Sequence, residues 1–87
     1  MKILEFNYYQ DPGHGWVAVK RKLVDEMGLK FNVTHFSYQK GKTVYLEEDC
    51  DAHALIDALK NRGINVKLVS KHTDSRSPIR SYEPYRP

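Results

Sequence analysis

The amino-terminal part of the chain alternates in polarity with a period of two. Leu4, Phe6 and Tyr8 occupy every second position, and this alternation predicts a half-buried strand over residues 2–9. The turn residues Asp-Pro-Gly then interrupt the pattern, and residues 16–19 predict a short second strand. Because the loop between them is short, we expect the two strands to form a hairpin.

From Lys20 the spacing of the apolar residues becomes helical. Leu23, Val24 and Met27 fall on one side of a helix, and Gly28 stands where a C-terminal glycine cap is expected. The pattern predicts a helix of only about two turns.

Two more strands are predicted after this helix. Phe31, Val33 and His35 alternate with polar residues and indicate the third strand. Residues 43–46 indicate the fourth, and the Gln-Lys-Gly-Lys sequence at 39–42 predicts the hairpin turn that joins them.

An acidic run at residues 47–51 precedes the second predicted helix. Asp49 or Asp51 would cap its first turn, where a carboxylate also complements the helix dipole. The apolar stripe of this helix consists of Leu55, Ile56 and Leu59. Gly63 ends the helix, and alternation over residues 64–68 predicts a fifth strand.

After His72 the composition changes to serine, proline, arginine and tyrosine. Three prolines exclude a helix there, so residues 73–87 are predicted as an extended tail, either disordered or laid across the body. Residues 1–72 form a single α+β domain of order β-β-α-β-β-α-β. The most economical arrangement is a small, mostly antiparallel sheet with both helices on one face.

Chain length and cysteine content bear on the oligomeric state and the cellular compartment. A chain of 87 residues buries a small core, so we expect a homo-oligomer, most simply a dimer. The single cysteine, Cys50, has no internal disulfide partner, which agrees with a reducing compartment. No apolar run reaches the roughly 18 residues of a membrane span, and the first residues do not resemble a signal peptide. A cytoplasmic protein without membrane association is expected.

The net charge of +3 is distributed unevenly. Residues 20–22 are basic, residues 47–51 are acidic, and the last third is basic again. These patches either neutralise one another in solvent, or the basic tail meets the acidic run or an anionic ligand.

The sequence Gly13-His14-Gly15-Trp16 is the first candidate ligand site. Glycines permit positive φ and close approach of a ligand to the backbone, and the imidazole and indole supply a hydrogen bond and a flat apolar surface. The alternative is an ordinary hairpin loop whose tryptophan belongs to the core. The spacing matches neither a dinucleotide-binding glycine motif nor a phosphate-binding loop.

The acidic run offers carboxylates for a divalent cation or for acid-base chemistry, or simply for capping the helix. It does not match the EF-hand spacing. Cys50 and His53 lack two further metal ligands at recognisable spacing, and nothing in the sequence places a histidine in the fold to activate Cys50 as a nucleophile. The sequence therefore predicts no metal, no cofactor and no catalytic residue.

The tail interleaves arginine and tyrosine, which suits phosphate and base contacts. Arg76, Arg80 and Tyr82 are its candidate ligand residues, and the alternative is a flexible or packing tail. Since the tail is predicted to lie outside the core, Arg80→Ala is expected to abolish binding with little effect on folding.

Three blocks of the sequence, NYYQDPGHGW, FSYQKGKTVYLEEDCD and HTDSRSPIRSYEPY, resemble a family of small proteins encoded by phages, prophages and plasmids. The resemblance covers nearly the whole chain. It implies a mobile-element setting and no mechanism. Small proteins in that setting resemble inhibitors of host defence, some of which sequester nucleotide signals.

Physical reasoning assigns the roles within these blocks. Arg76 and Arg80 would neutralise phosphates. The aromatic residues that would stack on a base are Trp16, Tyr45 and Tyr82. His14 and the amides of Gly13 and Gly15 would hydrogen-bond the ligand, and Glu47 or Asp49 would bind ribose hydroxyls or orient the arginines.

Three functions remain open. The first is a non-catalytic binder of a small anionic nucleotide, for example one that sequesters an immune signal. The second is a module that binds nucleic acid or a host protein, against which the acidic run counts because it repels a phosphate backbone. The third is a small phosphodiesterase using His14 or His72, although the two-histidine motif of such enzymes is incomplete here.

Overall fold

The computed structural model describes residues 2–87, and over this range the chain is the predicted α+β fold. Its elements are β1 (Lys2–Gln10), β2 (Gly15–Lys20), α1 (Arg21–Glu26), β3 (Tyr38–Lys40), β4 (Thr43–Glu47), α2 (Asp51–Asn61), β5 (Ile64–His72), a 3-10 helix (Pro78–Ser81) and β6 (Glu83–Pro84). The described strands form one mixed sheet in the order β5-β1-β2-β4-β3-β6. The β1–β5 pair is parallel and the other pairs are antiparallel, which confirms the mostly antiparallel prediction.

Both helices pack on one face of the sheet, as predicted. Val17 of β2 and Leu46 of β4 are register partners and therefore point to the same face. Val24 of α1 and Leu55 and Leu59 of α2 are buried against them in one core cluster. Burial of these apolar side chains is the main source of stability in so small a domain.

Both helices end at the predicted glycines, which adopt the left-handed backbone conformation. Gly28 follows α1 with a φ of 73°, and Gly63 follows α2 with a φ of 77°. The predicted capping residue of α2 is wrong, because Cys50 occupies the N-cap position and neither Asp49 nor Asp51 caps the helix. The carboxylate of Glu47 accepts the first free amides instead.

The predicted third strand does not form. Residues 29–37 make successive turns, in which the amide of Val33 donates to the carbonyl oxygen of Leu29 at 3.2 Å. An amide that closes a local turn is not available to a sheet ladder. Val33 still packs on the core, but Phe31, two residues before it, is 82% exposed.

These turns are held by the buried carboxylate of Asp51. It accepts the amide of Thr34 at 3.0 Å, the hydroxyl of Thr34 at 2.7 Å and the hydroxyl of Ser37 at 2.5 Å. The strand β3 therefore begins only after Ser37. Its hairpin turn lies at residues 41–42, inside the predicted range of 39–42.

The carboxy-terminal segment, residues 73–87, is laid across the body, which was one of the two alternatives. Ser77, Ile79 and Tyr85 are buried, and β6 pairs with β3. The exclusion of any helix from this segment is wrong, because a 3-10 helix begins at Pro78. Proline suits that first position, where its missing amide would have no helical partner.

The segment passes from one face of the sheet to the other. Trp16 and Tyr45 lie on the face opposite the helices, since they alternate with core residues of β2 and β4. On that face Arg80 lies 5.5 Å from the Trp16 ring centre, and the Tyr82 ring packs 5.2 Å from the Tyr45 ring. Tyr85 then joins the core on the helix side.

Candidate functional site

The loop between β1 and β2 is organised by the carboxylate of Asp11. Its Oδ1 accepts the amides of Gly13 and His14, each at 3.0 Å, and its Oδ2 accepts the amide of Ser77 at 3.0 Å. Arg80 donates to the same carboxylate through Nε at 2.6 Å and Nη2 at 2.8 Å. The Asp11 side chain is only 1% exposed. This bidentate pair therefore fastens the loop to the carboxy-terminal segment.

The ion pair strongly favours the charged form of both partners. The Arg80 guanidinium, followed by the Ser77 amide, holds the pKa of Asp11 far below its usual range. Asp11 in turn raises the pKa of Arg80. The expectation that Arg80 lies outside the structural framework is wrong, because its guanidinium is engaged in this internal pair.

The two loop glycines serve close packing. Neither has a positive φ. A Cβ on Gly15 would lie 2.6 Å from Oε2 of Glu48 and 2.6 Å from Cε1 of Tyr8. A Cβ on Gly13 would lie 2.7 Å from Nη2 of Arg80. Glycine is needed here because neighbouring side chains occupy the space of a Cβ.

Gly15→Ala is expected to lower the free energy of unfolding by about 1–3 kcal/mol, the usual cost of overpacking. The clashing groups cannot simply swing away, because the Tyr8 hydroxyl donates to Glu48 and the two side chains hold each other. Chemical denaturation measures the change. An unaltered midpoint would mean that the pair moves aside and that the glycine is not a packing requirement.

A cavity of about 630 Å³ opens beside this loop, and we call it the His14 cavity. Six of the nine predicted ligand-binding residues line it: His14, Gly15, Trp16, Glu47, Asp49 and Arg80. The remaining lining residues are Thr34, His35, Phe36, Tyr38, Glu48 and Cys50. The fold thus brings together the start of β2, the end of β4 and the turns that precede β3.

The other three predicted residues lie elsewhere. Tyr45 and Tyr82 pack against each other on the open face of the sheet, and neither lines the His14 cavity. Arg76 is exposed, and it also does not line the cavity. The predicted pair of arginines is therefore separated, with one in the cavity wall and one on the surface.

The aromatic residues of the cavity differ in how much surface they offer. Trp16 is 3% exposed and packs edge-on against Tyr38, with ring centres 6.0 Å apart. It belongs to the floor of the cavity and has little free face for stacking. Phe36 is 67% exposed and lies 4.4 Å from the His35 ring. Together with the exposed His14 ring, they form the accessible aromatic surface of the cavity.

The carboxylates of the acidic run have different tasks. Burial opposes ionisation of Glu47, but the amides of residues 49–51 outweigh that effect and lower its pKa. Glu48 accepts the hydroxyl of Tyr8, and burial together with this carboxylate raises the pKa of Tyr8 to about 12. Asp49 is exposed at the rim. Glu47 thus stabilises the helix start, while Glu48 and Asp49 give the cavity its negative charge.

Sequence reasoning missed the contribution of residues 34–36. Their predicted strand geometry would have distributed them over both faces of a sheet, whereas the turns held by Asp51 direct His35 and Phe36 to the cavity. The available clue was the neighbouring block that contains Tyr38. The alternation of Phe31, Val33 and His35 indicates a strand, and a strand assignment does not predict a cavity wall at these residues.

Among residues 2–87, no group of three or more histidine, cysteine or acidic side chains is arranged to hold a metal ion. His72 lies outside the cavity, where its Nε2 is 3.1 Å from Oδ1 of Asp74. Over the same range, every helix is too short or too polar to span a bilayer.

Comparison with known protein families, with curated proteins and with solved structures finds no match to this chain.

Proposed function

We propose that the protein is a non-catalytic binder of a small ring compound that carries hydroxyl or amino groups and no net negative charge, with nucleosides as the representative class. The observation that carries this proposal is the convergence of polar and aromatic side chains on the His14 cavity. Its volume of about 630 Å³ falls within the range of small-molecule sites.

The ring of the ligand would lie against the exposed aromatic surface. Phe36 and His35 present that surface at the cavity mouth, while Trp16 and Tyr38 close the floor. Stacking on such rings is tolerant of the particular base, so it supplies affinity more than selectivity.

The carboxylates would accept hydrogen bonds from hydroxyl or amino groups of the ligand. Glu48 and Asp49 give the cavity its negative charge, and the one guanidinium in the cavity wall is that of Arg80. That guanidinium is already paired with Asp11. A phosphate would meet repulsion with little compensation, so the charge balance favours a neutral or cationic ligand over the anionic nucleotide expected from the sequence.

Phe36→Ala is expected to weaken nucleoside binding by about tenfold, the usual loss when one stacking ring is removed. The side chain is mostly exposed, so folding should be unaffected. Phe31→Ala is the matched control, because Phe31 is also mostly exposed but does not line the cavity. Isothermal titration calorimetry with adenosine compares the two. Equal affinities in both variants would contradict the proposed site.

A series of adenosine, AMP and ADP tests the charge of the ligand. Each added phosphate is expected to weaken binding by about fivefold through repulsion from the carboxylates. Asp49→Asn should reduce this penalty, whereas Asp57→Asn, an exposed carboxylate on α2, should not. Affinity that rises with each phosphate would contradict the proposal and return the anionic nucleotide to first place. Sequestration of a nucleotide signal in a mobile-element setting stays a prediction, and it requires that affinity rise with each added phosphate.

A further inference from the structure

We propose that a second surface of the protein, at the opposite end of the sheet, binds single-stranded nucleic acid. This surface is a cleft of about 850 Å³, which we call the Lys20 cleft. It shares no lining residue with the His14 cavity, and the inference does not depend on the function proposed for that cavity.

The cleft arises from an incomplete strand pairing. β1 pairs with β5 along its whole length, but its register with β2 covers only Asn7–Gln10. β2 ends at Lys20 and the chain turns into α1. The first half of β1 therefore separates from β2 and leaves an open groove between the sheet and the ends of both helices.

Unpaired cations surround this groove. Lys2, Lys20, Lys22 and Arg62 line it, all are exposed, and none makes an ion pair with another described residue. The acidic side chains at the groove are Glu5 and Glu26. The excess of positive charge favours an anionic partner, and four free cations suit a chain of phosphates.

A row of tyrosine rings leads out of the groove across the open face of the sheet. Tyr9 and Tyr45 line the cleft, with ring centres 6.3 Å apart. The Tyr82 ring follows 5.2 Å from Tyr45, and the ammonium group of Lys40 lies 4.8 Å from the centre of the Tyr82 ring. The row is longer than a single base. A ring can stack only on a base whose face is accessible, as in a single strand, whereas a duplex hides these faces in its own stack. This arrangement favours a single strand over a mononucleotide or a duplex.

The acidic run, which counted against nucleic acid binding in the sequence, does not reach this surface. β4 begins at the cleft with Thr43 and ends at the His14 cavity with Glu47, so the run lies at the far end of the sheet. The strand would follow the basic end and the tyrosine row, away from these carboxylates.

Fluorescence anisotropy with a labelled oligothymidine of about ten nucleotides tests the proposal. We expect a logarithmic salt dependence with a slope of about −3, corresponding to four neutralised phosphates. The double variant Lys20→Ala/Lys22→Ala should reduce this slope to about half. The control is Lys30→Ala/Lys60→Ala, which removes the same charge from exposed positions outside the cleft. A flat salt dependence, or equal effects of both double variants, would overturn the proposal.

Variants of Tyr45 distinguish base stacking from charge attraction alone. Tyr45→Phe keeps the ring and should retain affinity, while Tyr45→Leu should weaken binding by about tenfold. Circular dichroism checks that both variants fold, and the lysine variants keep the test valid if Tyr45→Leu does not. Binding of a duplex as tight as that of the single strand would overturn the proposal. Full competition by polyglutamate, with no effect of Tyr45→Leu, would assign the cleft to an acidic peptide instead.

Discussion

Arg80→Ala is expected to destabilise the whole protein, with a fall in melting temperature on the order of 10 °C. The substitution leaves the carboxylate of Asp11 buried with no opposing charge, and it also removes the cation over the Trp16 ring. The amides of Gly13 and Ser77 remain but do not supply a full positive charge. Differential scanning calorimetry measures the effect.

A double-mutant cycle isolates the ion pair from other effects of the substitution. Asp11→Ala alone and Arg80→Ala alone should each be severe, and the double variant should be much less unstable than their sum. Arg76→Ala is the matched control, because that arginine is exposed and should leave the melting temperature unchanged. Additive effects would mean that Arg80 acts through packing and that the pair is not coupled.

The dependence of stability on acidic pH also measures the contribution of the Asp11–Arg80 ion pair. The pKa of Asp11 lies below its ordinary value of 3.8 in the folded state, so the pair stabilises the fold above about pH 4 and the benefit is lost as pH falls further. Removing Arg80 takes away the largest cause of the lowered pKa. The wild-type protein should therefore lose more stability between about pH 4 and pH 2 than Arg80→Ala does.

Tyr85→Ala is expected to cost about 3–5 kcal/mol, the range for removing a large aromatic side chain from a core. Tyr85 is 5% exposed and joins the helix-side core cluster, although it is the third residue from the carboxy terminus. Single domains are stable by only about 5–15 kcal/mol, so this loss is a substantial part of the total free energy of unfolding. Urea denaturation provides the measurement.

Tyr85→Phe distinguishes packing from hydrogen bonding at the same position. The phenol donates to the carbonyl oxygen of Lys30 at 2.6 Å, and its removal should cost about 1 kcal/mol. Pro87→Ala, an exposed neighbour, serves as the control. If Tyr85→Ala were as mild as this control, the carboxy-terminal segment would not belong to the folding unit.

The sequence predicts those elements whose signals lie within the element itself, namely a periodic pattern of apolar residues or a glycine that ends a helix. The alternation in β1 and the glycines after both helices act through the backbone of their own segment, so the sequence reveals them directly. The turns before β3 depend instead on Asp51, whose carboxylate is reached by Thr34 and Ser37 from a distant part of the chain. Periodicity contains no information about such a contact.

The candidate site was partly predictable for the same reason. The glycine-rich loop indicates His14 and Trp16 as candidates, and both residues line the cavity. The engagement of Arg80 was not predictable, because the ion pair joins residues at opposite ends of the sequence. In the sequence alone, an arginine with no identified ion-pair partner is interpreted as available for a ligand. The predicted role of Arg80 in phosphate binding depends on that interpretation. The dimer expected from the small size of the chain stays a prediction.

The most direct test of the central claim is a nuclear magnetic resonance titration of the labelled protein with adenosine. We predict that amide shift changes concentrate at His14 and Gly15, at residues 34–36 and Tyr38, and at residues 47–50, all of which line the His14 cavity. The amides of β5 and of the Lys20 cleft should not move. Shifts centred outside the cavity, or no shifts at millimolar adenosine, would contradict the account.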